Sequence, residues 1–276
     1  MKLHILGRLD GTGSCIYYCL YMMALGYKYN YDVVFKYINT GSRPNFNRDQ
    51  EIIDFFGIKL IWKLPKLKEI DSIKYFLENK LYEKEEDIYI KQWYNYTEII
   101  KENILTIDEI FSKEFIDDIL KKIPKYDTTF NKEHYNIGIH LRRGDVDEKK
   151  KHRPPDGGGK FKGRFVHDDY YIKILDKLYE EKENASLYIF TDEKDLNKLE
   201  KYKKYKNLVI FNTERDFKKS NNVLRDWKTI IKIDCFIFGI STFAYVPAIF
   251  NKNKKIYFKQ SHDHCNQYTM KDWELV

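Results

Sequence analysis

Short apolar runs without polar alternation recur down this chain, each followed by a turn and then by a helix-length segment of mixed polarity. A strand that is apolar on both sides has to be covered on both faces. A parallel sheet between layers of helices meets that requirement, so the chain is expected to be α/β. In the first half, strands are expected at residues 3–6, 33–37, 59–62 and 87–91, and helices at 15–25, 48–56 and 72–82. A broken helical region follows at 96–122, and the polar stretch from Ile123-Pro124-Lys125 to Lys132 reads as a linker. In the second half, strands are expected at 137–141, 187–190, 208–211, 235–239 and 255–258. Helices are expected between them at 168–181, 195–205, 224–233 and 243–250. The pattern predicts two αβα lobes, residues 1–130 and 131–276, facing across a cleft with ligands at the carboxyl ends of the strands.

The balance of charge narrows the function classes. The formal net charge is +7 over 276 residues, but Lys and Glu are interspersed along most of the chain. That describes a solvated surface with some preference for anions; a nucleic-acid binder concentrates its basic residues on one face, so no nucleic-acid partner is expected. No run approaches the roughly 20 apolar residues that cross a bilayer. The apolar stretch 15–25 has no basic leader or small-residue cleavage site, and the expected location is cytoplasmic. Cys15, Cys19, Cys235 and Cys265 form no CxxC pair, and Cys15 and Cys19, four apart on a predicted helix, read as small buried residues.

The most specific segment is Ile139-His140-Leu141-Arg142-Arg143-Gly144-Asp145-Val146, a buried strand running into a charged turn. Two adjacent arginines at such a place are costly unless an anion or carboxylates pair with them. A guanidinium stays charged and donates two parallel hydrogen bonds, which suits a phosphate. Gly144 allows a tight turn or a close ligand approach, and Asp145 is placed to brace one arginine. A purely structural Arg–Asp network is the alternative. A second strand end carries Thr191-Asp192, able to accept from a ribose or a guanine ring, or else to cap a helix. A third carries Ser241-Thr242-Phe243 at a helix start, where N–H groups and the helix dipole attract anions.

Together, His140-Leu141-Arg142-Arg143-Gly144-Asp145, Tyr170-Tyr171, Phe190-Thr191-Asp192 and Ser241-Thr242-Phe243 resemble the fucosyltransferase superfamily, nearest its α-1,2 and α-1,6 groups. The N-terminal Gly7-Arg8-Leu9-Asp10-Gly11-Thr12-Gly13-Ser14 resembles that family's Gly-containing turn before a helix. The resemblance covers residues 135–258 and is faint before them. It implies a GT-B fold of two Rossmann-like lobes and an inverting transfer of fucose from GDP-fucose to a glycan hydroxyl, with no metal and no further cofactor. It also implies that Arg142 binds the β-phosphate with Arg143 and His140 in support, and that Asp192 meets the nucleoside. Ser241, Thr242 and Phe243 would then line the phosphate and sugar pocket, with Thr191, Gly144, Gly11 and Gly13 on the donor as well. Two departures from the pattern bear on the sugars: Asp10-Gly11-Thr12-Gly13 stands where α-1,2 members carry Gly-Asn-Gln, and Phe243-Ala244-Tyr245 where they carry Phe-Ser-Trp. Another donor (GDP-mannose, a UDP- or a dTDP-sugar) and a non-catalytic polyanion-binding module are the competing readings.

Asp10, Asp147 and Glu148 are the general-base candidates, with Asp145 better suited to bracing. The run 148–160, basic and rich in Pro and Gly, reads as a solvated insertion or as a lid over a phosphate-bearing ligand. His262, His264 and Cys265 do not supply a four-ligand metal site by spacing. Trp93, Tyr94 and Tyr96 could stack on an acceptor sugar or simply be half-buried aromatics. His167, near Arg164, could face the donor or simply begin a helix.

Overall fold

The computed structural model describes residues 1–6, 12–36, 46–63, 65–92, 98–127, 130–143, 165–212, 221–259 and 269–276. They fall into two compact units, one within Met1–Lys125 and Gln267–Met270 and the other within Tyr126–Asn266 and Lys271–Val276.

In the first unit, β1 (Lys2–Leu6), β2 (Asp32–Lys36), β3 (Leu60–Ile61), β4 (Lys68–Ser72) and β5 (Ile88–Gln92) form a parallel sheet ordered β3-β2-β1-β5-β4. Helix α1 (Thr12–Lys28) is apolar almost all round: Tyr17, Tyr18, Leu20, Tyr21, Met22 and Leu25 are all buried. Such a helix belongs inside the fold. Cys19 lies in that buried surface and Cys15 is half-exposed. Helix α2 (Phe46–Phe56) ends at Gly57, whose φ of 66° is the left-handed conformation that stops a helix.

One expectation for this unit needs correction. The predicted helix at 72–82 is the short α3 (Ile73–Glu78), capped by the Ser72 hydroxyl, then a 3-10 turn at Leu81–Glu83 entered through Lys80 at φ 48°. The residues before it form the edge strand β4, where Ile70 is the one buried side chain, so no apolar run announced it. The broken helical region resolves into α4 (Glu98–Lys101), α5 (Ile107–Ile110) and α6 (Lys113–Lys122). Asn103 at φ 55° ends the first, and a Thr106–Glu109 capping box and the Ser112 hydroxyl start the other two.

In the second unit, β6 (Tyr135–Leu141), β7 (Ala185–Thr191), β8 (Leu208–Asn212), β9 (Cys235–Phe238), β10 (Lys254–Tyr257) and β11 (Glu274–Leu275) are again all parallel, ordered β11-β10-β9-β6-β7-β8. Ile137, Ile139 and Leu141 of β6 pack on one face with Tyr171, Leu175 and Leu178 of α7 (Asp168–Glu181). On the other face lie α8 (Asn221–Lys232) and α9 (Thr242–Phe250), and just past α8 the Ile233 side chain comes so close that a Cβ on Gly138 would sit 2.7 Å from it. The expected helix at 195–205 is a 3-10 segment, Leu196–Tyr202. The unexpected β11 completes the sheet because Trp273 inserts among Phe238, Tyr245 and Tyr257.

Candidate functional site

From β6 the chain steps outward to β7 and β8, then returns to lay β9 against the other side of β6. The connections leaving β6 and β9 therefore diverge, and in open α/β sheets a ligand crevice forms at the carboxyl ends of two such strands. At this point β6 delivers His140 and then Arg142 and Arg143, while β9 leads through Gly239 and Ile240 to Ser241, Thr242 and Phe243.

These two strand ends touch. The His140 imidazole stacks on the Phe243 ring with centroids 5.3 Å apart and planes 21° apart, and Trp227 of α8 backs Phe243 at 5.7 Å. His140 is buried, and its backbone carbonyl accepts a 3.0 Å bond from the Tyr171 hydroxyl. Burial holds the imidazole down to about 4, helped by Arg142 and Arg143 and opposed by Asp192, so the ring is neutral at neutral pH. The Ser241 carbonyl begins α9 by accepting from the Ala244 and Tyr245 amides, yet its side chain makes no cap bond. The first turn of a helix presents N–H groups that have no partner within the helix. The capping reading of Ser241 is thus not met by its hydroxyl.

The two arginines behave differently. Arg142 is half-buried at the strand end. The Arg143 guanidinium turns inward: it donates to the Val166 carbonyl at 2.8 Å, to Asp168 at 2.9 Å and to the Arg142 carbonyl at 3.1 Å, with the Phe165 ring 4.2 Å from its carbon. Asp168 in turn accepts from the Tyr202 hydroxyl at 2.7 Å and pairs with Lys201 at 3.0 Å. Burial alone would raise the Asp168 carboxyl, but those donors and Arg143 outweigh it and hold it below the ordinary carboxylate value. The second strand end secures the same turn. The Asp192 carboxylate accepts the Arg143 amide at 2.6 Å, and the Thr191 hydroxyl donates to the Leu141 carbonyl at 2.8 Å and accepts from the Glu193 amide at 3.1 Å. Thr191 therefore staples β7 to β6.

Of the residues singled out in the sequence, His140, Arg142, Arg143, Thr191, Asp192, Ser241, Thr242 and Phe243 all come from the carboxyl ends of β6, β7 and β9. Gly13 is buried in the first turn of α1, in the other unit. His167 precedes α7 without a side-chain cap bond and packs against Phe165 and Tyr170. Asp10, Gly11, Gly144, Asp145, Asp147, Glu148 and the run 148–160 lie outside the described residues. So do Trp93, Tyr94, Tyr96, Arg164, His262, His264 and Cys265. Among the described residues no cluster of His, Cys, Asp and Glu is arranged for a metal, and no helix is long and apolar enough to cross a membrane.

Sequence reasoning passed over two carboxylates. Asp168 looked like an ordinary helix-start acid, and nothing in its neighbourhood along the chain marks its role. Asp226 left a trace: on α8 it shares a stripe with Ile230 and, beyond the helix, Ile233, a charge where the pattern calls for an apolar residue. It is fully buried; Arg225 grips one oxygen through two bonds of 2.9 and 2.7 Å, and the other has no hydrogen-bond partner among the described residues. Burial pushes its carboxyl up to about 7 against the pull of Arg225. Its neighbours Arg225 and Trp227 pack on Phe211, near the end of β8, and on Phe243.

No family model matches the chain, and no curated protein matches it by sequence. Solved structures do match by fold. FUT1 of Arabidopsis thaliana, a point variant in complex with GDP, superposes over 95% of this chain and 71% of its own, with a TM-score of 0.53 at 10% identity. The fucosyltransferase NodZ from Bradyrhizobium matches 90% of this chain and 93% of its own, with a TM-score of 0.45 at 11% identity. The E. coli ADP-heptose LPS heptosyltransferase II matches 100% and 90%, with a TM-score of 0.47 at 10% identity. The chain has the α/β GT-B fold.

Proposed function

We propose that this chain is an inverting glycosyltransferase that transfers fucose from GDP-fucose to a glycan hydroxyl, with no metal or further cofactor. The observation that carries the reading is the convergence at the β6–β9 switch point. A strand-end arginine, Arg142, lies beside a helix start, Thr242–Phe243, and both are tied down by the His140–Phe243 stack and the Arg143–Asp192 bond. The FUT1 structure of the same fold holds GDP, which suits the reading.

In the proposed reaction the acceptor oxygen bonds to the anomeric carbon as the bond from that carbon to the β-phosphate oxygen breaks and GDP leaves. Negative charge grows on the departing phosphate. A fixed guanidinium and the α9 N-terminus stabilise that charge more in the transition state than in the ground state. The acceptor's proton passes to a carboxylate, for which Asp10, Asp147 and Glu148 are the candidates. Asp226 is the acceptor that suits a guanine edge, because a buried carboxylate accepts from ring N–H groups that adenine and uracil present differently.

Calorimetric titration with GDP, GDP-fucose, GDP-mannose, UDP and dTDP tests this. Saturable binding of the guanine nucleotides, with fucose transferred from GDP-fucose to a glycan and GDP released, is the expected result. Binding confined to UDP or dTDP would keep the fold and overturn the donor. Binding that tracks phosphate number and collapses with salt would point to a polyanion-binding module instead.

A further inference from the structure

Arg143 donates to three acceptors and stacks on a ring, so its charge is spent inside the protein, whereas the residue before it stands at the crevice. The partner that takes this charge is Asp168, and Asp168 is itself held from a separate element. Its Oδ1 receives both Arg143 and the Tyr202 hydroxyl, and its Oδ2 receives Lys201; Tyr202 and Lys201 both belong to the 3-10 segment after β7. The Arg143 and Asp168 side chains are 9% and 17% exposed, so water competes weakly for these bonds. The consequence lies in the backbone. Through Nη1 the anchored guanidinium holds the Arg142 carbonyl, while Asp192 holds the Arg143 amide from the far side. The peptide unit between the two arginines is therefore pinned at both its carbonyl and its N–H, and the pin ends on Asp168.

We infer that Asp168 is a positioning residue: by holding Arg143 inward it fixes the Arg142–Arg143 peptide and so aims Arg142 at the anion that the crevice receives. In this arrangement the tandem arginines divide the work, the first toward ligand and the second toward the fold. Asp168 is central to this because it is the carboxylate that holds the Arg143 guanidinium inward. The inference rests on the donor-site reading for the identity of the anion, but not for the geometry.

Hydrogen exchange of the ligand-free protein and GDP titration, each on wild type, Asp168→Asn and Tyr202→Phe, test it together. In Asp168→Asn the Arg143 amide should exchange at least about tenfold faster while the β6 amides keep their protection, with a smaller rise in Tyr202→Phe. GDP should bind roughly tenfold more weakly to Asp168→Asn, and Arg143→Met combined with Asp168→Asn should weaken it no further than either change alone. Unchanged exchange at Arg143 would overturn the inference, as would a general loss of protection across β6, which marks a merely structural residue. A wild type that ignores GDP would sink the donor reading and leave the exchange comparison to decide the role of Asp168.

Discussion

His140 of β6 and Phe243 of α9, 103 positions apart in the chain, lie ring on ring at 5.3 Å and 21°. That stack covers one face of a buried imidazole, and burial there is what depresses its basicity. Replacing Phe243 with Ala should let water in and return the His140 titration, followed by NMR, from about 4 toward its ordinary range near 6.5.

The same depression makes stability depend on pH. Between about 4 and 6.5 the unfolded chain takes up a proton at His140 that the folded chain refuses, so the stabilisation is complete above 6.5 and is lost as pH falls toward 4. Asp226 acts with the opposite sign. Its carboxyl, raised to about 7, makes folding more favourable as pH falls from 7 toward the ordinary value of 3.8. The two slopes oppose each other in the wild type. Denaturant midpoints measured from pH 4.5 to 7 should therefore rise with pH in Asp226→Asn and fall with pH in His140→Gln.

Asp226→Asn should also separate stability from function. Above pH 7 it removes a buried charge whose second oxygen lacks a partner among the described residues, so the midpoint should not fall. Under the proposed donor reading, GDP affinity should drop about tenfold or more, the equivalent of one charge-assisted bond. Unaltered GDP binding in a folded Asp226→Asn protein would remove this residue from the donor site.

Arg142→Ala and Arg143→Ala should differ in kind. Losing Arg142 should weaken GDP about tenfold to a hundredfold with a small change in melting temperature. Losing Arg143 should weaken GDP and also lower the melting temperature clearly, since it takes from the largely buried Asp168 carboxylate its buried cation and leaves only Tyr202 and the more exposed Lys201. Equal thermal losses in the two variants would contradict the division of labour between them.

Trp273 holds β11 to the sheet from a position 4% exposed, against Phe238, Tyr245 and Tyr257. Trp273→Ala should cost about 3–5 kcal/mol of unfolding free energy in chemical denaturation. Val276→Ala, at a residue that is 48% exposed, should cost almost nothing.

What the chain determined by itself was the layering. Strands such as Ile137–Leu141 and Cys235–Phe238 are apolar on both sides, and that requires cover on both faces wherever they end up. The strand ends of the second lobe were legible for the same reason, because a charged or hydroxyl-bearing residue directly after a buried run can only emerge at a sheet edge. Edge elements were not legible: β4 buries Ile70 alone, and β11 is two exposed residues held by a tryptophan from outside the strand. Nor could the order of strands be read. It took the return of β9 to the side of β6 to bring Phe243 onto His140 and make one crevice of separate strand ends. The same tertiary packing turned Arg143 inward to Asp168 and buried Asp226, because a side chain's partner is set by what lies across the fold and not by what lies next to it along the chain.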